Sequence, residues 1–197
     1  KTGLTFILNT VLNRHHDIVR IVAGHPIAAH REGVKTARQI YGIEVPMQTD
    51  IVIAGSKPAD RDLWQGFKPL NAAGMTVRSG GEVILVIPAP EGLSPDHPAI
   101  MDFGHTPNAD VLARVAHGDV EDEVAAATNR AMNVPRERAR ITLVSDGIEP
   151  HHARRLDLGL EPDLDQAISS ALKRAGPAAT IGVMTQAADL WPIVKEK

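Results

Sequence analysis

The segment 50–72 constrains the fold more than any other part of the sequence, because two periodicities follow each other within it. The apolar run 51–54 has the length and β-branched content of a buried strand. A Gly-Ser-Lys-Pro sequence interrupts this run, and the apolar positions after it recur with helical spacing. The segment therefore predicts a strand, a short loop and a helix.

Gln65 and Lys68 are candidate binding residues on the predicted helix. They are three positions apart, so they are neighbours on one face of the helix. This face lies away from the apolar stripe, which consists of Leu63, Trp64, Phe67 and Leu70. An amide beside a fixed cation suits a carboxylate or a phosphate, since the cation supplies charge and the amide supplies orientation. From residue chemistry alone, a solvated polar face remains the simpler explanation.

The rest of the chain continues the alternation of strands and helices. Before residue 47, the apolar runs 4–12 and 17–22 predict a hairpin, and residues 26–41 predict a helix that begins at Pro26 and stops at Gly42. Between 50 and 185, the alternation predicts an α/β lobe with a largely parallel sheet and helices on both faces. Further strands are predicted at 82–87, 141–144 and 179–184, and further helices at 108–116, 120–132 with Asp119 as its cap, and 164–174.

Two loops follow predicted strands, at the edge where open α/β sheets bind ligands. The proline-rich connection 88–107 is long enough for a binding loop and contains Glu91, His97 and His105, of which His97 deserves the first test. Ser145-Asp146-Gly147 follows the strand 141–144, where ordinary turn chemistry also explains it. The pair Gly80-Gly81 follows a helix and opens a strand, so we interpret it as a structural turn and not as a phosphate loop.

Composition excludes several classes of function. The chain has 197 residues, 43% of them hydrophobic, and a net charge of -3 from 21 basic and 24 acidic residues. Because no basic patch is interleaved with aromatic residues, we expect no nucleic-acid partner. The apolar runs are shorter than the ~18 residues that cross a bilayer, so we expect no membrane association. The absence of cysteine is compatible with a cytoplasmic protein and excludes thiolate metal sites.

The sequence GSKPADRDLWQGFK at 55–68 resembles a segment of the nickel-dependent lactate racemase family, in which Gly-Tyr-Pro-x-Asp leads into an aromatic-Gln-x-x-Lys helix. The resemblance continues forwards through the Gly80-Gly81 turn, the strand 83–87 and Glu91-Gly92, and backwards through AGHPIAAHREG at 23–33. It covers residues 1 to about 148 well and the remainder loosely. The chain is thus similar to the C-terminal part of these racemases.

The resemblance implies an isomerase that racemises or epimerises 2-hydroxy acids. It implies a nickel pincer nucleotide as cofactor (a pyridinium bisthiocarboxylate mononucleotide with Ni), ligated by residues outside this chain, so no catalytic or metal-binding residue is expected within it. Gln65 and Lys68 would hold the substrate carboxylate, with Trp64 at the neighbouring aromatic position. The expected partners are the hydroxy acid and the N-terminal lobe of the same protein, without which this fragment would be inactive.

The resemblance also suggests a division of the chain. Residues 1–46 would be the end of an N-terminal catalytic lobe, namely its last hairpin and helix. Residues 47–185 would form the C-terminal α/β lobe, and 186–197 a tail that could return to the first lobe.

Two departures from the family pattern put lactate itself in doubt as the substrate. Lys57 stands where tyrosine is usual, and no tryptophan occurs between Gly118 and Arg130, where the family has one that lines the site. A larger or more polar hydroxy acid is an equal alternative. A non-catalytic α/β domain that binds small anions is the main competing function, while a nucleotide-dependent oxidoreductase is disfavoured because no Gly-x-Gly-x-x-Gly follows a strand.

Overall fold

The structure is a computed structural model that describes residues 3–195. Residues 1–2 and 196–197, which belong to the first and last predicted segments, lie outside the described residues. The described chain divides into two compact units, residues 3–44 with Asp189–Ile193, and residues 45–188 with 194–195.

The first unit contains an antiparallel hairpin and a helix. Ile7–Leu12 (β1) pairs with Ile18–Gly24 (β2), which confirms the predicted hairpin. The helix Pro26–Tyr41 (α1) has the predicted limits, because Pro26 favours a helical start and Gly42 caps the end through its backbone N–H to the Arg38 carbonyl. Gly42–Val45 (β3) pairs with Trp191–Val194 (β9) in a separate two-stranded sheet.

The second unit is built on a five-stranded parallel sheet. Its strands are Thr49–Gly55 (β4), Val77–Val86 (β5), Arg140–Val144 (β6), Gly159–Glu161 (β7) and Ile181–Met184 (β8). They lie in the order β7-β6-β5-β4-β8, with every pair parallel, which confirms the predicted α/β class. The order reverses at β4, because the chain moves from β4 through β5 and β6 to β7 and then crosses back to place β8 on the other side.

Helices cover both faces of this sheet. They are Leu63–Thr76 (α2), Ile100–Phe103 (α3), Asn108–His117 (α4), Glu123–Arg138 (α5), Pro150–Arg155 (α6) and Leu164–Ala175 (α7), followed by a 3₁₀ turn at Ala187–Asp189. On one face α2 packs against α5 and both contact β5. On the other face, the small residues Ala167 and Ala171 bring α7 onto the fully buried Ile51 and Ile84. Within 3–195, no helix combines the length and apolar character needed to cross a membrane.

Two predicted boundaries are wrong. Asp119 does not cap the helix that follows it; Asp122 does, through a 2.9 Å bond from the Ala125 N–H, and α5 extends past Met132 to Arg138. The Gly80-Gly81 pair is not a turn before a strand but lies inside β5, where the pairing with β4 shifts register. Gly81 is required there, because a Cβ would lie 2.4 Å from the carbonyl oxygen of Asp50.

Three short elements were not predicted. The connection 88–107 contains the single-turn helix α3, and the segment after β6 contains α6 and β7. Each spans six residues or fewer, too few for a hydrophobic periodicity to stand out.

Candidate functional site

The candidate site lies where β4 leads into α2, at the point where the strand order of the sheet reverses. The carboxyl end of β4 is tightly packed: Ser56 is buried, and its N–H donates to the Val86 carbonyl of β5 across 3.1 Å. A Cβ at Gly55 would lie 2.4 Å from the Thr185 carbonyl oxygen after β8, so glycine permits this close approach. The loop that follows therefore begins from a fixed position.

The first backbone N–H groups of α2 are all occupied by the protein itself. Leu63 and Trp64 donate to the carbonyls of Gly92 and Leu93, at 2.9 and 3.0 Å. Gln65 N–H donates to the Asp62 side chain across 2.8 Å, and the next N–H donates to the Asp62 carbonyl. An anion at this helix start would find no open N–H group, so any anion must be held by side chains.

Lys68 and Gln65 supply such side chains. Lys68 Nζ donates to Gln65 Oε1 across 2.6 Å, as expected for neighbours three residues apart on a helix face. Lys68 is exposed and Gln65 is partly buried. The ammonium has three N–H donors and uses one here, while the amide keeps both of its N–H donors. The pair therefore offers one positive charge and further N–H donors, which are groups that suit a carboxylate.

Pro69 distinguishes this turn of α2 from an ordinary helical turn. It lies inside the helix and is buried. A proline has no N–H, so the helical hydrogen bond to the Gln65 carbonyl cannot form. The sequence pattern predicted the helix through this proline, and the missing bond falls on the turn that carries Gln65 and Lys68.

Trp64 connects this helix face to the loop after β5. Its ring stacks on the His97 ring, with centroids 4.5 Å apart and planes 24° from parallel. His97 Nδ1 lies 2.9 Å from Asp122 Oδ2, at the start of α5. Hydrogen bonds from the Ala125 N–H and then from His97 lower the pKa of Asp122, so this carboxylate stays ionised at neutral pH.

Arg61 fixes the same loop against the start of α2. Its guanidinium lies 3.0 Å from the Asp62 carboxylate, 3.4 Å from Glu91 and 3.6 Å from Asp96. Because the Arg61 side chain is half-exposed, solvent screens these ion pairs and they contribute little to stability. Their effect is to position the loop, together with backbone bonds such as that from the Glu91 N–H to the Arg61 carbonyl, 3.0 Å.

The structure thus brings together some of the predicted candidates and separates others. Trp64, Gln65, Lys68 and His97 lie around the first turns of α2. His105 does not join them and instead pairs with Asp157 across 3.0 Å.

Two further loop candidates have structural contacts. Glu91 pairs with Arg61, and Gly147 N–H donates to the Pro88 carbonyl across 3.0 Å.

Asp122 is the residue that sequence reasoning missed. It lies 25 positions from His97 in the chain, and the helix that it caps was predicted to start earlier. The capping preference could have found it, since an aspartate three residues before the alanine run is a normal helix start.

Metal ligands do not cluster in the described chain. Across residues 3–195, no group of three or more histidine, cysteine, aspartate or glutamate side chains could hold a metal ion.

Comparison with known proteins gives a consistent result. The family described as lactate racemase C-terminal domain matches residues 45–190. The chain is 28% identical over 200 residues to a lactate racemase of Lactiplantibacillus plantarum, covering 92% of this chain and 43% of the relative. It is 33% identical over 94 residues to a lactate racemase of Thermoanaerobacterium thermosaccharolyticum, covering 47% of this chain and 22% of the relative.

Solved structures share the fold. The lactate racemase apoprotein from Thermoanaerobacterium thermosaccharolyticum matches with a TM-score of 0.77 at 22% identity, over 98% of this chain and 46% of that chain. A Thermotoga maritima protein matches with a TM-score of 0.62 at 15% identity, over 96% of this chain and 49% of that one. The chain spans less than half the length of the relatives and structures that it matches here.

Proposed function

The chain belongs to the lactate racemase C-terminal domain family, and from that premise we propose that Gln65 and Lys68 hold the carboxylate of a 2-hydroxy acid during its racemisation or epimerisation. The observation that carries this proposal is the 2.6 Å contact between an exposed lysine ammonium and a glutamine amide, on a helix start whose backbone donors are already occupied.

Each side chain has a distinct part in this proposal. Lys68 supplies the charge that attracts the carboxylate, and Gln65 fixes the rotation of the carboxylate about its axis through amide donors. Trp64, one turn before Lys68, borders the same face with a flat apolar surface held by His97. These residues orient the substrate, which lowers the entropic part of the barrier, and they exchange no atoms with it.

The proposed cofactor is a nickel pincer nucleotide, which would supply the hydride chemistry at the carbon that bears the hydroxyl. The described residues of this chain offer no ligand cluster for a metal. We therefore assign the cofactor ligands, and the groups that transfer the hydroxyl proton, to an N-terminal lobe of the same protein. Residues 1–46 would be the end of that lobe, 47–185 the substrate-binding lobe and 186–197 a tail that could return to the first.

Substitution of Lys68 tests the proposal. In the complete protein loaded with its cofactor, we expect Lys68→Ala to lower kcat/KM for every hydroxy acid that the wild type converts by about tenfold to a hundredfold. This range corresponds to the loss of a charged hydrogen bond worth about 1.5–3 kcal/mol. Lys68 is exposed, so the variant should fold normally.

The matched control is Lys173→Ala, which removes another exposed lysine of the same unit, on α7. We expect this variant to keep wild-type kinetics. Unchanged kinetics for Lys68→Ala would contradict the proposed role and would favour a non-catalytic anion-binding domain.

A further inference from the structure

We propose that His97 is a specificity-determining residue, which binds an oxygen-bearing group on the substrate beyond the carbon that carries the hydroxyl. The inference rests on the proposed function of Gln65 and Lys68 as the carboxylate clamp. It states that the preferred 2-hydroxy acid has a hydroxyl or a second carboxylate on its side chain.

The first step is the position of the His97 ring. Trp64 and Lys68 are separated by one helical turn and Gln65 follows Trp64, so the three side chains form one patch of α2. The His97 ring stacks on Trp64 with centroids 4.5 Å apart. The imidazole therefore lies against the Trp64 end of this patch.

The second step is the orientation of the ring. Nδ1 is bound to Asp122 Oδ2 at 2.9 Å, and the other oxygen of Asp122 accepts the Ala125 N–H at 2.9 Å. The His97 backbone N–H is held by the Ser94 hydroxyl at 3.2 Å. Ring and backbone are thus both fixed, and only Nε2 is left to bind a ligand.

The third step is the state of Nε2. Among the described residues, no hydrogen bond reaches this nitrogen, and the His97 side chain is 29% exposed. A neutral ring with its proton on Nδ1 accepts a hydrogen bond at Nε2, and a protonated ring donates one. A substrate hydroxyl can donate to the neutral ring, and a substrate carboxylate can accept from the protonated ring. The methyl group of lactate can do neither.

A purely structural role for His97 explains this arrangement less well than a ligand-binding role does. Stacking on Trp64 needs only an aromatic ring, and capping of α5 needs only Asp122. Neither role needs the hydrogen bond between the Asp122 carboxylate and Nδ1. This bond leaves Nε2 as the ring nitrogen that is available to a ligand. A site built to bind a polar group discriminates strongly against substrates that lack it, because its own polar group is then left unpaired.

His97→Phe separates the two roles, because phenylalanine keeps a flat ring for Trp64 and loses Nε2. The complete cofactor-loaded protein is assayed with lactate, glycerate and malate, which differ in the group next to the reacting carbon. We expect wild type to prefer glycerate or malate over lactate in kcat/KM. His97→Phe should lower that preference at least tenfold, about 1.4 kcal/mol.

Two further variants keep the test decisive. If His97→Phe fails to fold, Asp122→Asn provides the test, because asparagine retains a capping oxygen for the Ala125 N–H. We expect this variant also to lower the preference for glycerate or malate over lactate. His105→Phe changes a histidine that also pairs with an aspartate, Asp157, outside the site, and should leave the preference unaltered.

The outcomes distinguish this inference from the function on which it rests. A wild-type preference for lactate, or a preference that survives both His97→Phe and Asp122→Asn, overturns the role of His97. If Lys68→Ala still weakens all three acids, the carboxylate clamp stands without it. If Lys68→Ala changes none of them, the clamp fails and the role of His97 fails with it.

Discussion

The contact between Lys68 Nζ and Gln65 Oε1 determines what each side chain can offer a ligand. Because the amide oxygen is occupied by the lysine, the amide N–H donors are the groups that remain. Lysine thereby fixes which end of the amide is available, and the amide limits the orientations of the lysine. Anion binding by this pair depends on the neutrality of Gln65 as much as on the charge of Lys68.

Gln65→Glu tests that dependence on neutrality. Glutamate has nearly the same shape and would pair with Lys68, which stabilises a helix by about 0.2–0.5 kcal/mol. The same carboxylate would neutralise the lysine and repel the substrate carboxylate. In the complete protein we expect kcat/KM to fall about tenfold further in Gln65→Glu than in Gln65→Met, the neutral control without amide donors. Equal losses in the two variants would show that charge at this position is irrelevant.

At the scale of elements, Asp50 links two parallel strands at the opposite end of the sheet from the site. Its Oδ2 accepts the Thr180 N–H at 2.7 Å and the Thr180 hydroxyl at 2.6 Å, so it joins β4 to the residue before β8. The Arg78 guanidinium pairs with its other oxygen. The Thr180 hydrogen bonds lower the pKa of Asp50, opposed in part by burial.

This lowered pKa predicts how stability depends on pH. Since the folded pKa of Asp50 lies below the ordinary value for an aspartate carboxyl, its contribution to stability is complete above that ordinary value and is lost as pH falls through the folded pKa. We expect Asp50→Asn to be less stable than wild type at about pH 6, with the difference shrinking towards about pH 3.

Urea titrations can measure the effect through Trp64 fluorescence, in a Trp191→Phe background that leaves one tryptophan. Asp146→Asn, at an exposed loop aspartate, is the matched control and should retain the acid sensitivity of wild type. A stability difference for Asp50→Asn that stays constant over this range would show that Asp50 titrates normally in the folded chain.

The elements also show which parts of the fold the sequence could reveal. The limits of α1 were predictable because Pro26 and Gly42 act locally on the backbone. The limits of α5 were not predictable. Asp119 and Asp122 compete as the cap, and Pro135 lies inside the helix instead of ending it. Pro135 is buried, so tertiary packing holds the helix through this residue.

The candidate site also contains contacts that the sequence could predict and contacts that it could not. Gln65 and Lys68 were predictable as neighbours because helical geometry brings residues three apart together. His97 was singled out by its loop, but its contacts with Trp64 and Asp122 join three separate parts of the chain. No single-sequence periodicity encodes contacts of that kind.

At the scale of the whole molecule, the first unit exposes an apolar surface. Opposite α1, the hairpin carries Leu8, Ile18 and Ile21, which are 68%, 60% and 58% exposed. Since β1 pairs Thr10 with Ile21 and Leu8 with Ala23, Leu8 and Ile21 lie on the same face of the hairpin. An apolar sheet face of this kind is normally covered, and because the relatives are more than twice as long, we propose that the N-terminal lobe covers it.

This proposal predicts opposite effects of one double substitution in two settings. In the chain of residues 1–197 alone, Leu8→Ser with Ile21→Ser should reduce binding of a hydrophobic dye and reduce self-association, because it removes exposed apolar area. In the complete protein, the same change should lower the free energy of unfolding by several kcal/mol, since each buried leucine or isoleucine contributes about 1.5–3 kcal/mol.

Leu112→Ser with Val115→Ser, at exposed positions on α4 of the second unit, is the control and should have small effects in both settings. A complete protein that tolerates the hairpin substitutions without loss of stability would show that this face remains open to solvent when the preceding lobe is present.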